Sequence, residues 1–257
     1  MNTNGNTYTV IYSAVLVILV AAILAYVSLA LQPRQNDNIR VETMSKILTA
    51  AGLYNTEEAE AAADINKFTI GLYNDNLQAA IYVNGNGEKT GDMKEVAGTS
   101  ELKAQYDAMR KIGDNGDESL LKGLRLPVYI FNVNGQIIRV VPCYGAGLWG
   151  PIWGYLAFTE DMNTLDGAVF DHKGETPGLG AEIALPKFYE PFKGKQILDE
   201  NGDFVSISVV KGGAKGDIHG VDAISGGTIT SKALENTMRT WLSFYRPYFT
   251  NVINGEE

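Results

Sequence analysis

Asp222-Ala-Ile-Ser225-Gly226-Gly227-Thr228-Ile-Thr230, followed by Ser231, places one carboxylate and four hydroxyls in a short, glycine-broken stretch. Leu234, Met238, Trp241 and Tyr245 then recur at i, i+4, i+7 and i+11, which predicts one buried face of a closing α-helix. The first turn of a helix has N–H groups without helical partners, and a Ser or Thr just ahead of it can cap them. The same N–H groups, at the positive end of the helix dipole, make a seat for a phosphate. Two readings follow: ordinary turn and capping chemistry, or a phosphate cradle with hydroxyls inside it.

Two further stretches set glycines beside groups that could line a pocket. Gly145-Ala-Gly147-Leu148-Trp149-Gly150 matches the dinucleotide pattern G-x-G-x-x-G, follows an apolar run and has Asp166 further on. A dinucleotide fold needs a helix to begin there. Pro151 to Phe158 is instead a short aromatic and aliphatic run with Gly154 inside it and no helical period. That argues against an NAD-dependent enzyme built on this motif. The glycines read better as points where the backbone bends or lets a flat ring approach. The other stretch is Glu175-Thr176-Pro-Gly-Leu179-Gly180.

Asp-x-x-Ser-Gly-Gly-Thr-x-Thr resembles the flavinylation motif Asp-x-x-(Ser/Thr)-Gly-Ala-Thr-x-(Ser/Thr) of the covalent-FMN-binding domain family. Gly227 stands where the family usually has Ala, a loss of one methyl that a turn should tolerate. The Gly147 to Gly150 and Glu175 to Gly180 segments resemble two shorter motifs of that family, in the same order. The resemblance implies FMN held by a phosphoester on Thr230, with Asp222, Ser225, Gly226 and Thr228 completing the attachment site. It further implies a flavin pocket with apolar walls from Leu148, Trp149 and Leu179 and donors from Thr176 and Gly180, with Gly147 and Glu175 beside them. Lys211 and the helix start would balance the phosphate charge. His172 could reach the ring or lie behind it. No base is visible in the sequence near Thr230, and a threonine hydroxyl is a poor nucleophile unaided. Attachment would therefore require a separate flavin transferase using FAD, with this chain as its substrate.

The elements that must position these groups are strands in the middle and a long helix at the end, an α+β pattern and not a wound parallel sheet. Val128 to Val141 reads as a β-hairpin turning at Asn134-Gly135, and Lys195 to Lys211 as a second one turning at Asn201-Gly202. Lys67 to Lys89 reads as paired strands with a strong turn at Asn84-Gly85-Asn86-Gly87. Helices are expected over Gln35 to Leu53 with Gly52 as the stop, over Glu57 to Asn66, and over Ser100 to Lys111. Gly113 to Glu118 is expected as a solvated, mobile loop, because it lacks the Glu that closes a calcium loop.

Residues 1–33 carry no charged side chain, and Val10 to Leu31 is apolar apart from two serines and two tyrosines. A helix of that length matches a hydrocarbon core of roughly 30 Å. A cleaved signal peptide competes, but there is no basic leading region and the apolar run is too long. The expected organisation is an N-terminal transmembrane anchor over 1–33, a membrane-proximal helical and strand segment over 34–125, and a covalent FMN-binding domain over 126–257. The net charge of −9 falls entirely after the anchor and disfavours nucleic acid. One cysteine, Cys143, in an apolar run, excludes an internal disulfide and reads as a packed core residue. Two isolated histidines, His172 and His219, make no convincing metal site. No catalytic residue is expected.

Anchor, intermediate segment and C-terminal FMN motif together are similar to the C-subunit family of sodium-translocating NADH:quinone reductases. The related G subunits of ion-pumping ferredoxin:NAD reductases tend to be shorter, and a tethered binding module without flavin is a further alternative. The first reading implies an electron relay from NADH towards quinone within a multi-subunit complex. Sodium movement would belong to that complex, because one anchor without intramembrane charge cannot conduct ions. It also implies a bacterial inner (cytoplasmic) membrane, with the soluble part on the periplasmic side. Arg34, Arg40 and Lys46, the first basic residues, all follow the apolar run and by the positive-inside rule argue for the other side.

Overall fold

The computed structural model describes residues 5–116 and 118–256. They form two units, Met1–Glu42 and Thr43–Glu257. The first consists of helix α1 (Asn6–Ala50) up to Glu42, long and apolar enough to cross a membrane. Val10, Leu16, Ile18, Leu24 and Leu29 all stay exposed on it, as on a helix that is apolar on every side and has no protein core to enter. The helix expected over Gln35 to Leu53 is the continuation of α1, and Gly52 ends it with a φ of +70°.

In the second unit, α2 (Thr56–Ala61) and α3 (Ile65–Asn76) share the span where one helix was expected from Glu57 to Asn66. Asp64 caps α3 by accepting from the N–H groups of Asn66 and Lys67 at 3.1 Å each. That cap overrides the expected strand from Lys67, and the helix brings Tyr73 edge-on to Phe131 at 5.6 Å. Strand structure begins at β1 (Leu77–Val83), which turns at Asn84 to Gly87 into β2 (Lys89–Asp92). Helix α4 (Thr99–Asn115) covers the amphipathic stretch and takes in the first half of the expected loop. Asp117, in that loop, lies outside the described residues.

Strands β3 (Leu126–Val133), β4 (Gln136–Ala146), β5 (Pro151–Phe158) and β6 (Leu165–His172) complete an antiparallel sheet of order β2-β1-β3-β4-β5-β6. The β3–β4 turn is Asn134-Gly135, with φ of 53° and 91°, the left-handed pair a two-residue hairpin needs. Because β1 pairs with β3, the sheet runs across residue 125 without a break.

Side chains alternate across the sheet. Tyr129 and Phe131 meet Ile47 and Leu48 of α1 on one face, and Val128 and Ile130 join α4 in the core on the other. Beyond β6 come the short α5 (Pro186–Tyr189) and the strands β7 (Ser208–Val210) and β8 (Gly220–Asp222), which pair in parallel. The hairpin expected over Lys195 to Lys211 reduces to one bridge, Leu198 to Phe204, around the Asn201-Gly202 turn. Ser206, with a φ of +63°, bends the chain out of register before the ladder can extend.

Helix α6 (Thr228–Asn254) closes the fold. Leu234, Met238, Trp241 and Tyr245 are fully buried, as their spacing predicts. Trp241 Nε1 donates to the Tyr144 carbonyl and Tyr245 Oη to that of Pro127, each at 2.7 Å. A Cβ on Gly145 would stand 2.0 Å from Thr237 Oγ1, so this glycine serves the close approach of α6 to β4. No helix follows it; β5 returns antiparallel instead, which disposes of the dinucleotide reading. Cys143 lies in the same core, and burial pushes its thiol up to about 12.

Candidate functional site

The antiparallel return of β4 into β5 and of β5 into β6 sets two connections side by side. Ala146 faces Pro151, and Ile152 faces His172, so the Gly147 to Gly150 turn lies beside the segment that leaves β6. The start of α6 completes the group. Its N-cap is Gly227, and no side chain caps it, contrary to the expected Ser or Thr cap. Thr228 and Thr230 lie inside the first turn, and Ser231 Oγ reaches back to accept from the Ile224 N–H at 3.1 Å. The first helical hydrogen bond runs from the Ser231 N–H to the Gly227 carbonyl at 2.9 Å. The N–H groups of Thr228, Ile229 and Thr230 thus precede any acceptor within the helix.

Thr230 is 1% exposed, and its Oγ1 donates to Glu175 Oε2 at 2.6 Å. Glu175 is itself buried, and its Oε1 accepts from the Trp149 N–H at 2.9 Å. The Glu175 N–H in turn donates to His172 Nδ1 at 3.2 Å, so His172 bonds the backbone of that residue and not its carboxylate. A base does therefore stand next to the Thr230 hydroxyl, and the expectation of none is corrected. The two groups are 55 residues apart in sequence.

Two glycines make room for this pair. A Cβ on Gly180 would stand 2.4 Å from Thr230 Oγ1 and 2.5 Å from Glu175 Oε2, and one on Gly147 2.5 Å from Glu175 Oε1. Gly180→Ala is expected to force the pair apart and to destabilise the domain by about 1–3 kcal/mol, the usual range for overpacking. Urea unfolding checks this, and an unchanged midpoint would show that the carboxylate swings aside freely.

Above the pair is a cavity of about 260 Å³, lined by Leu148, Trp149, Glu175, Thr176, Leu179, Gly180, Gly226, Gly227, Thr228, Ile229 and Thr230. Its rim is apolar and open: Trp149 is 69% exposed, Ile229 61%, Leu148 46% and Leu179 41%. Exposed apolar side chains around a polar floor suit a flat ligand with an apolar face and a charged tail. The residues fit a flavin phosphate on this ground, with helix N–H groups and a hydroxyl at the floor and apolar walls above. Ile229 was not anticipated, because its position between two threonines looks like a spacer.

Of the other residues the sequence singles out, Gly147 lies beneath Glu175, whereas Asp222 and Ser225 border a different cleft of about 720 Å³. Asp222 Oδ1 accepts from the Ala214 N–H at 2.6 Å and so ties the turn after β7 to β8. Lys187, Lys195 and Lys215 line that cleft, and Lys187 beside Glu182 holds its carboxyl below the usual range. Lys211 is exposed and lines neither cavity. A Cβ on Gly227 would stand 2.9 Å from Ile224 Cγ2, so the missing methyl leaves no gap here.

The FMN-binding domain family matches residues 147–243, a span that holds the whole cavity lining. The chain is 32% identical to the C subunit of the Na(+)-translocating NADH-quinone reductase of Vibrio campbellii, covering 91% of this chain and 90% of that protein. The crystal structure of the corresponding C subunit from Parabacteroides distasonis superposes with a TM-score of 0.70 at 35% identity, covering 86% of this chain and 97% of that one. That of Shewanella oneidensis NqrC gives 0.63 at 26% identity, over 84% and 98%.

Proposed function

Because the chain belongs to the family of C subunits of Na(+)-translocating NADH-quinone reductases, we propose that it is a membrane-anchored electron-transfer protein holding FMN through a phosphoester on Thr230. The observation that carries this reading is the buried Thr230 hydroxyl on the floor of an apolar-rimmed cavity built on the first turn of α6. Bound flavin supplies reversible uptake and release of electrons. The chain's own part is to hold and orient. The first-turn N–H groups of α6 offer donors and a positive dipole end to a phosphate. Leu148, Trp149, Leu179 and Ile229 offer an apolar surface to a ring, and their exposure leaves one side open to neighbouring redox subunits. A covalent tether keeps the carrier in place through turnover.

Attachment calls for a separate flavin transferase using FAD, so the test is made on chain produced beside that enzyme. After denaturation and gel electrophoresis, its band is expected to fluoresce as flavin. A dark band would favour the reading as a tethered binding module. The relatives named above are C subunits, which disfavours the G-type alternative.

The apolar part of α1 serves as a single-pass anchor in a bacterial inner membrane, and Thr43–Glu257 faces the periplasm. Protease added to spheroplasts is then expected to digest that unit. Protection of it would vindicate the basic residues that follow the apolar run.

A further inference from the structure

We propose that Glu175 takes up the proton that the Thr230 hydroxyl loses on flavin attachment, and keeps it afterwards. The inference rests on FMN attachment at Thr230 and goes beyond it by naming the group within this chain that balances the charge.

The hydroxyls of the attachment stretch are not equivalent. Ser225 and Thr228 are exposed, and Ser225 borders the other cleft. Ser231 Oγ is engaged by the Ile224 N–H. Thr230 is buried and donates to a carboxylate at 2.6 Å, so its proton already points at an acceptor. The carboxylate is held for this purpose from its other side. The Trp149 N–H occupies Oε1, which leaves Oε2 for Thr230. Among the described residues Glu175 has no ion-pair partner.

In the transfer, the Thr230 Oγ1–H bond breaks and its proton passes to Glu175 Oε2. The freed Oγ1 electron pair forms a bond to the FMN-side phosphorus of FAD. The bridging phosphorus–oxygen bond breaks, and its electron pair departs with adenylate. Nothing is oxidised or reduced.

The product explains why the proton stays. A phosphodiester on Thr230 is a strong-acid anion that remains charged, and it sits where Glu175 Oε2 made its hydrogen bond. Two like charges in such contact within a buried site disfavour one another, and the carboxylate is the weaker acid of the two. Protonated, Glu175 changes from acceptor to donor towards the oxygen it already faced, and the Trp149 N–H bond to Oε1 persists. The charge at the site is then the same after loading as before it.

The test uses the full-length chain made without flavin, then incubated with the transferase and FAD, with incorporation followed by intact mass. Glu175→Gln is expected to lower kcat for loading at least tenfold with the KM for FAD little changed, and Glu175→Asp to recover part of the rate. Loading of Glu175→Gln at the wild-type rate would overturn the proposal, as would a loss confined to KM. Infrared difference spectra of wild-type loading, which need no variant to fold, are expected to gain the carbonyl band of a protonated carboxylic acid. Its absence would overturn retention of the proton. Wild-type chain that takes no FMN on Thr230 would overturn the attachment reading and this one with it. A loaded chain with no effect at Glu175 would overturn this one alone.

Discussion

Thr230→Ala is expected to yield a folded chain that retains no flavin after denaturation. The substitution removes the only oxygen of that side chain and leaves Glu175 Oε2 without its donor in a buried place. An unsatisfied buried polar group costs about 1–3 kcal/mol. Nothing else in the core changes, because the anchoring of α6 lies further along, at Leu234, Met238, Trp241 and Tyr245. The chain should therefore melt several degrees lower with an unaltered near-ultraviolet circular dichroism spectrum. Its band beside the transferase should be dark where wild type fluoresces. A bright Thr230→Ala band would move the attachment to another residue, with Thr228 a further hydroxyl lining the same cavity.

Trp241→Ala is expected to be the most damaging single change to the fold. The indole is fully buried, stacks against Tyr245 with centroids 6.3 Å apart, and its Nε1 donates to Tyr144 on β4. Truncating a buried tryptophan costs about 3–5 kcal/mol, set against about 5–15 kcal/mol for a whole domain. The loss falls on one of the contacts that hold α6 to the sheet, and the first turn of that helix forms the floor of the site. Denaturant unfolding should show the midpoint falling sharply with the slope little changed. A loss below about 1 kcal/mol would mean that α6 is held mainly elsewhere.

Much of this architecture is legible where the signal is local and periodic. The buried face of α6 follows from four apolar residues at helical spacing, the β3–β4 turn from Asn134-Gly135, and the failure of the dinucleotide pattern from a β-run where a helix should begin. Local competition hides other parts. Lys67 to Asn76 alternates enough to pass as strand, and the deciding residue is a cap, Asp64, lying outside that window. Asn201-Gly202 is a true turn, but the left-handed Ser206 that stops its ladder gives no sign in its residue type.

The site divides in the same way. The residues around the cavity fall in short motifs that can be matched one at a time, and Leu148, Trp149, Leu179, Gly180, Gly226 and Thr228 do gather around Thr230. The Glu175–Thr230 hydrogen bond joins residues 55 apart through a sheet whose register no local pattern reveals. The same limit applies to Asp222 and Ser225. They stand next to the site in sequence yet face another cleft, because the turn at Gly226-Gly227, with Gly226 at a positive φ, separates them from Thr230.

The most direct measurement is fragmentation mass spectrometry of the tryptic peptide 216–232 from chain made beside its transferase. The account predicts that peptide heavier by one FMN less one water, with the added mass on Thr230. An unmodified peptide, or added mass on Ser225, Thr228 or Ser231, would contradict it.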